Sequence, residues 1–131
     1  MYLEKITAPA DIKGYHAQER RALAREMREA MLRRASIYGG HFGPDFGAVE
    51  AIIALHNVFD SPQDKIVFDV SHQCYPHKML TGRAAAYLDE AQYDSVSGYT
   101  NPAESPHDFF NVGHTSTSIS LATGLAKARD L

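Results

Sequence analysis

The spacing of apolar residues changes several times along the chain, and each change marks an element. From Ala17 to about Tyr38, Leu23, Met27, Ala30, Met31 and Ile37 recur at spacings of three, four and six, which predicts a helix with one buried stripe. Gly39 and Gly40 follow at once and supply the left-handed or extended backbone that stops a helix. A loop over 39–47 is expected next, then a second helix from near Gly47 to about Val58. Glu50 is placed there to reach back to free N–H groups, and Ala51, Ile52, Leu55 and Val58 form the expected buried face. The run Ile66, Val67, Phe68, Asp69, Val70 has the β-branched and aromatic content of a buried strand. Short helices are expected around Lys78 to Leu80 and Ala84 to Glu90, followed by a long polar loop from Tyr93 to Asn111. A loop of that length usually serves a function. Thr115, Ser116, Thr117 and Ser118 are capping candidates for a last helix whose Ile119, Leu121, Ala122, Leu125, Ala126 and Ala128 give it an apolar, small-residue face.

A lone hydrophobic strand cannot satisfy its own backbone donors and acceptors, and a buried parallel strand needs neighbours from further crossover units. The last helix also reaches Arg129, Asp130 and Leu131 without a glycine, asparagine or proline to end it. Both features predict either a piece of a larger fold or a chain completed by a partner.

The chain has 131 residues, room for a single unit with one core, and its 44% hydrophobic and 22% charged content fits a globular protein. The net charge of -3 is unevenly spread, with eight Lys/Arg against five Asp/Glu in residues 1–40 and five against eleven thereafter. Arg20, Arg21, Arg25, Arg28, Arg33 and Arg34 share the first helix with Glu19, Glu26 and Glu29, which reads as a solvated face rather than a nucleic-acid surface. The single cysteine, Cys74, allows no disulfide within the chain and suits a reducing compartment, here the cytoplasm. No apolar run approaches a membrane span, and the N-terminus resembles neither a signal nor a transit peptide.

His41, His72 and His114 sit in GGHFG, VSHQ and VGHTSTS, short Gly- or Ser-flanked segments between elements, where active-site groups collect. Taken singly each reads more readily as a surface or capping histidine, a reading that three in similar settings weaken, while His56 reads as a packed or partly exposed structural residue and His16 and His107 as surface loop residues. In VGHTSTS the glycine permits close backbone approach and the following helix offers free N–H groups, a pattern suited to a phosphate or diphosphate or, equally, to an ordinary helix cap. Asp69, Ser71 and His72 would stand at the end of the strand, where ligands bind in open α/β sheets. His72, Cys74 and His77 lack the regular spacing and the fourth ligand of a structural zinc site, and no local signature marks Cys74 as a nucleophile.

GGHFGPDFGAVE, ALHNVFDSPQDKIVFDVSHQCYPHKMLTGR and VGHTSTSISLATGLAKARDL resemble, in order and spacing, the N-terminal region of the 1-deoxy-D-xylulose-5-phosphate synthases. PHKMLTGR and GHTSTSIS separate that family from the wider transketolase group. The resemblance implies an α/β thiamine-diphosphate-binding fold, mostly helical in this stretch with one or two strands, residues 1–131 forming the N-terminal part of the diphosphate-binding domain. It implies a transferase that uses thiamine diphosphate and Mg2+ to decarboxylate pyruvate and join the two-carbon unit to glyceraldehyde 3-phosphate, serving isoprenoid and thiamine biosynthesis. By position in the motifs, His41 resembles the histidine that handles protons at the reaction centre, His72 a cofactor contact, and Gly113, His114 and Thr115 the segment beside the diphosphate. A histidine suits the first of these roles because it exchanges protons near neutral pH.

In this family the metal ligands lie in a Gly-Asp-Gly segment and a later asparagine, and an activating glutamate lies in a pyrimidine-binding domain, all outside these residues. The chain alone is therefore expected to be inactive and to bind the cofactor weakly or not at all, with a homodimer or the rest of the same enzyme as its partner. Three positions depart from the family pattern: Ser71 where glycine is usual, Asp45 near a usual asparagine, and Cys74 where alanine or serine is usual. Ser71 is expected to point a side chain where backbone would approach the ligand. The second reading, from a different class, is a non-catalytic interaction module that keeps this scaffold.

Overall fold

A computed structural model describes residues 1–131. The first helix, α1 (Ala17–Ile37), begins at His16, whose N–H donates to Glu19 Oε2 at 2.7 Å. It buries Leu23, Ala24, Met27, Ala30 and Met31. Its stripe ends differently from the expectation: Ile37 is exposed, and Arg34 is buried at 3% exposure. Arg34 lies three and four residues beyond Met31 and Ala30, so helical geometry carries it onto the same face. Its guanidinium is accommodated there by the rings of Tyr38, Tyr87 and Tyr75, 4.8, 5.1 and 5.4 Å from their centroids. Its Nε and Nη2 donate to the Tyr93 carbonyl at 3.2 and 2.6 Å.

The second helix, α2 (Gly43–Val58), starts four residues before the expected Gly47, because Pro44 has its fixed φ in the first turn, where a missing N–H costs nothing. Its buried stripe is Asp45, Val49, Ile52, Ile53 and His56, so Ala51 and Val58 face solvent and Leu55 is half-buried. Two of those inward positions are polar, which hid the stripe from a hydrophobicity pattern. Helices α1 and α2 pack together and α3 (Tyr75–Lys78) packs on α2. The chain continues through a wider turn at Met79–Arg83 into α4 (Ala85–Leu88), which returns to α1. Gly82 in that turn has φ 87°, and a Cβ there would stand 2.9 Å from the Thr7 carbonyl oxygen, so only glycine lets the N-terminal segment lie this close. Two N-terminal turns, Leu3–Lys5 and Pro9–Ile12, bury Leu3 and Ile12, and the N–H groups of Tyr2 and Leu3 donate to Glu26 Oε2 at 2.8 and 2.9 Å. The core thus gathers Leu3, Ile12, Leu23, Met27, Met79 and Leu80 beneath Tyr87.

The expected strand over 66–70 is not formed, and the structure is mostly helical with no strand anywhere. Phe68 is buried and Ile66 and Val67 are half-buried, but no neighbouring strand is present to take their backbone N–H and C=O groups. Residues 93–117 form one long connection without a regular helix after the short turn Glu90–Gln92. The last helix, α5 (Ser118–Arg129), buries none of its residues, and Ile119 is 78% exposed. Leu125 and Ala126 face Val67 and Lys65 across an open groove of about 360 Å³. No helix is long and apolar enough to cross a membrane.

Candidate active site

The turn after α1 brings His41 onto Tyr75. Gly40 has φ 129°, and a Cβ there would lie 2.7 Å from the Tyr75 hydroxyl, so the close approach depends on glycine. His41 N–H donates to that hydroxyl at 3.1 Å. The imidazole Nδ1 lies 3.1 Å from the Gly98 carbonyl oxygen. Because a carbonyl only accepts, Nδ1 carries a proton, and in the neutral ring the lone pair is therefore on Nε2. The half-buried ring packs edge-on to Tyr99 and to His72, at centroid distances of 4.9 and 5.7 Å.

His72 is presented by a tight turn in which Val70 and Ser71 both adopt left-handed backbone, φ 59° and 66°. The Ser71 N–H donates back to the Asp69 carbonyl. For a β-branched residue such a conformation costs about 1–3 kcal/mol, and strain of this kind collects at functional sites. Ser71 does not point at a ligand, contrary to the expectation from its departure from glycine. Its side chain is fully buried, donates to the Val112 carbonyl at 2.8 Å and accepts from Thr100 N–H at 3.0 Å. The hydroxyl therefore welds the 69–72 turn to the later loop. His72 Nδ1 is buried and has no hydrogen-bond partner within the chain.

Asp69 makes the second tie between these segments. Its carboxylate accepts from the N–H groups of Ser116 and Ser118 at 3.0 and 3.1 Å, and those two bonds hold it below the usual carboxylate range. The cap of α5 thus comes from a residue distant in sequence, not from the expected Thr115 to Ser118. Thr117, the residue at the cap position, turns its hydroxyl back to the His114 carbonyl at 3.0 Å. Gly113, His114 and Thr115 remain exposed, and neither the His114 imidazole nor the Thr115 hydroxyl hydrogen-bonds within the chain. The structure brings His41 and His72 into ring contact and ties the 113–115 segment to the same turn, but His114 touches neither ring.

Behind this surface lies a buried polar network that the sequence pattern did not reveal. Asp108 is bridged by Arg83 at 2.8 and 2.9 Å and accepts from His77 Nε2 at 2.9 Å. Burial alone would raise its pKa, yet the bonds from His77 and Arg83 outweigh that and hold the carboxyl well below its usual range. With Asp108 ionised, His77 donates from Nε2, so its Nδ1 accepts from His56 Nε2 at 2.8 Å and both rings are neutral. Burial pushes the His77 pKa down despite Asp108, and pushes His56 down to about 3. Lys78, buried completely, reaches Glu104 at 2.6 Å, and Arg83 reaches the same carboxylate at 3.1 Å. His107, expected at the surface, is half-buried with Nδ1 2.9 Å from the Ser61 hydroxyl. Asp45 is fully buried beneath Tyr75, accepting from its N–H at 2.8 Å, and burial raises its pKa to about 7. Cys74 is buried, and burial pushes its thiol up to about 12, which makes it a poor nucleophile. No group of His, Cys, Asp and Glu converges to hold a metal ion.

Comparison with known proteins places this geometry in context. Residues 3–131 match the N-terminal family profile described as 1-deoxy-D-xylulose-5-phosphate synthase. The chain is 50% identical over 129 residues to the 1-deoxy-D-xylulose-5-phosphate synthase of Corynebacterium jeikeium, 51% over 129 residues to that of Desulfitobacterium hafniense, and 50% over 131 residues to that of Symbiobacterium thermophilum. These alignments cover 98%, 98% and 100% of the chain but 20% of each relative. The chain thus spans about a fifth of the length of the curated relatives it matches.

Proposed function

Because the chain belongs to the 1-deoxy-D-xylulose-5-phosphate synthase family, we propose that it forms the diphosphate-facing part of a thiamine-diphosphate-dependent transferase joining pyruvate to glyceraldehyde 3-phosphate. In this reading residues 1–131 are the N-terminal part of the diphosphate-binding domain of an α/β enzyme, and the apolar segment 66–70 leads into a sheet whose other strands lie beyond these residues. The enzyme works in the cytoplasm as a homodimer, and Mg2+ is held by residues outside this chain.

The observation that carries the reading is the joining of two distant segments by Ser71 and Asp69, which ties the stretch around 113–115 to the turn presenting His72, whose ring is in contact with His41. The residues present fit the cofactor in three respects. His72 offers a buried Nδ1 without a partner, Gly113 is exposed, and His114 and Thr115 have side chains with no bond inside the chain. In one respect the fit is narrower than the sequence suggests. Ser118 N–H at the start of α5 and Ser116 N–H just before it are already taken by Asp69, so that helix end has fewer donors left for a diphosphate and more of the hold would fall to 113–115.

When bound, thiamine diphosphate supplies the electron sink that allows a 2-oxo acid to lose carbon dioxide. The chain's own residues do the rest of what is assigned to it. Gly113 admits backbone close to the diphosphate, His114 and Thr115 donate to its oxygens, and His72 contacts the cofactor. His41, locked with its proton on Nδ1, presents Nε2 to accept and return a proton at the substrate.

The test uses a polypeptide extended to the length of the relatives. With thiamine diphosphate and Mg2+ it is expected to convert pyruvate and glyceraldehyde 3-phosphate to 1-deoxy-D-xylulose 5-phosphate and carbon dioxide. His41→Ala is expected to lower kcat by about 10²–10⁴ while leaving cofactor affinity within a few-fold. Absence of product from the folded, cofactor-loaded protein would refute the reading and favour an interaction module.

A further inference from the structure

His41 has a proton-transfer role only if Nε2 is the unprotonated nitrogen, and the group that decides this is the Gly98 carbonyl. Gly98 lies on a strap, residues 96–101, that passes over the ring. A Cβ on Gly98 would stand 3.3 Å from His41 Cε1 and 3.5 Å from Nδ1, so a side chain there would crowd the ring.

Both flanks of that glycine are pinned by buried charge. On one side the Ser97 carbonyl accepts from Lys78 Nζ at 2.8 Å, and Ser97 N–H donates to Glu104 Oε1 at 2.8 Å. On the other side Asn101 N–H donates to Asp108 Oδ2 at 2.8 Å. Lys78 and Arg83 then lock the two carboxylates to each other's neighbourhood, through the bonds to Glu104 and Asp108 described above. The side chains of Lys78 and Asp108 are fully buried, and those of Arg83 and Glu104 are 9% and 12% exposed. Such a cluster is an inefficient source of stability, because desolvating the charges cancels most of their attraction. What it supplies is direction: Lys78, Glu104 and Asp108 each bond the backbone on one side or the other of the Gly98 carbonyl, Arg83 links the two carboxylates, and no hydrogen bond runs from any of the four to His41.

We infer that Lys78 and Glu104, backed by Arg83 and Asp108, are positioning residues for His41, holding the Gly98 carbonyl where it fixes the ring as the Nδ1–H tautomer. The inference rests on the proton-handling role proposed for His41 but is testable without cofactor or substrate. The readout is the His41 ring nitrogen spectrum by long-range proton–nitrogen NMR of this chain in alkaline solution, where the imidazole is neutral. The parent chain is expected to show Nδ1–H as the main form. An Nε2–H form in the parent would overturn the inference before any substitution is made.

Lys78→Met removes the charge and the bond to Ser97 at similar length. The Nδ1–H to Nε2–H ratio is expected to fall about fivefold, the worth of one ordinary hydrogen bond, with the α1 and α2 amide signals unmoved. An unchanged ratio in the folded variant would overturn the inference. Should Lys78→Met fail to fold, Glu104→Gln retains an acceptor for Ser97 N–H without the charge and is expected to shift the ratio in the same direction. A shifted ratio in a full-length enzyme whose kcat is unaltered would uphold the positioning and refute the proton role of His41, so the two failures are distinguishable.

Discussion

Asp45 shows how one residue departs from its pattern. Its Oδ1 accepts from Tyr75, its Oδ2 has no partner, and burial raises its pKa to about 7 against the opposing pull of the Tyr75 N–H, Arg34 and Lys78. A folded-state pKa raised above the unfolded value near 4 means that the carboxyl stabilises the fold in its protonated form, and that this contribution is lost as the pH rises towards 7. His56 acts with the opposite sign: its folded pKa of about 3 leaves stability fully present above about 6.5 and lost as the pH falls towards 3. Asp45→Asn keeps the acceptor and removes the titration. It is expected to remove the loss of stability that Asp45 imposes between pH 4 and 7, about 1.4 kcal/mol per unit, so that the variant improves on the parent by on the order of 4 kcal/mol between pH 4 and pH 8. Urea unfolding of both proteins across that range checks this, and an identical pH profile would contradict it. His56 is buried, in keeping with its reading as a packed or partly exposed residue, whereas Asp45 was not readable as part of a buried face, because periodicity counts apolar positions and the inward stripe of α2 starts on a polar one. Arg34 was missed for the same reason: its burial depends on three tyrosines, two of which come from beyond residue 70.

At the scale of elements, helices α1 and α5 were legible from spacing because helix formation is local, whereas the ties between elements were not. Asp69 caps α5 across 47 and 49 residues, and no local pattern announces such a bond. Asp69→Asn is expected to leave α1 and α2 intact and to speed amide exchange at Ser116 and Ser118 several-fold, as loss of a helix cap does. Unchanged exchange there would mean that the α5 start is held by something else. The network around Asp108 predicts a larger effect. Asp108→Asn leaves Arg83 short of an anion and turns an amide NH2 towards donors, either His77 Nε2 or the Asn101 N–H, and is expected to cost about 3–5 kcal/mol in denaturant unfolding. A loss below about 1 kcal/mol would show that the network is slack. The strand over 66–70 marks the reverse limit. Its composition was read as expected, but a strand is a relation between segments, and this chain provides no partner for it.

For the whole molecule, the exposed α5 and the unpaired 66–70 segment line one open groove through Leu125, Ala126 and Val67, while Phe68 of that segment joins the helical core. The motifs that located His41, His72 and the 113–115 loop were readable because each sits in a short glycine- or serine-marked segment. Their assembly into one surface was not, since it depends on Ser71 and Asp69 bonding across some 40 residues or more. The central claim is that this surface holds the diphosphate end of thiamine diphosphate. The most direct measurement is calorimetric titration of thiamine diphosphate with Mg2+ into the protein at the length of its relatives, comparing the parent with His72→Ala and His114→Ala. Each substitution is expected to weaken binding about tenfold or more, in line with loss of a hydrogen bond to a charged group. Affinities equal to the parent's in both folded variants would contradict the claim and remove these residues from the cofactor site.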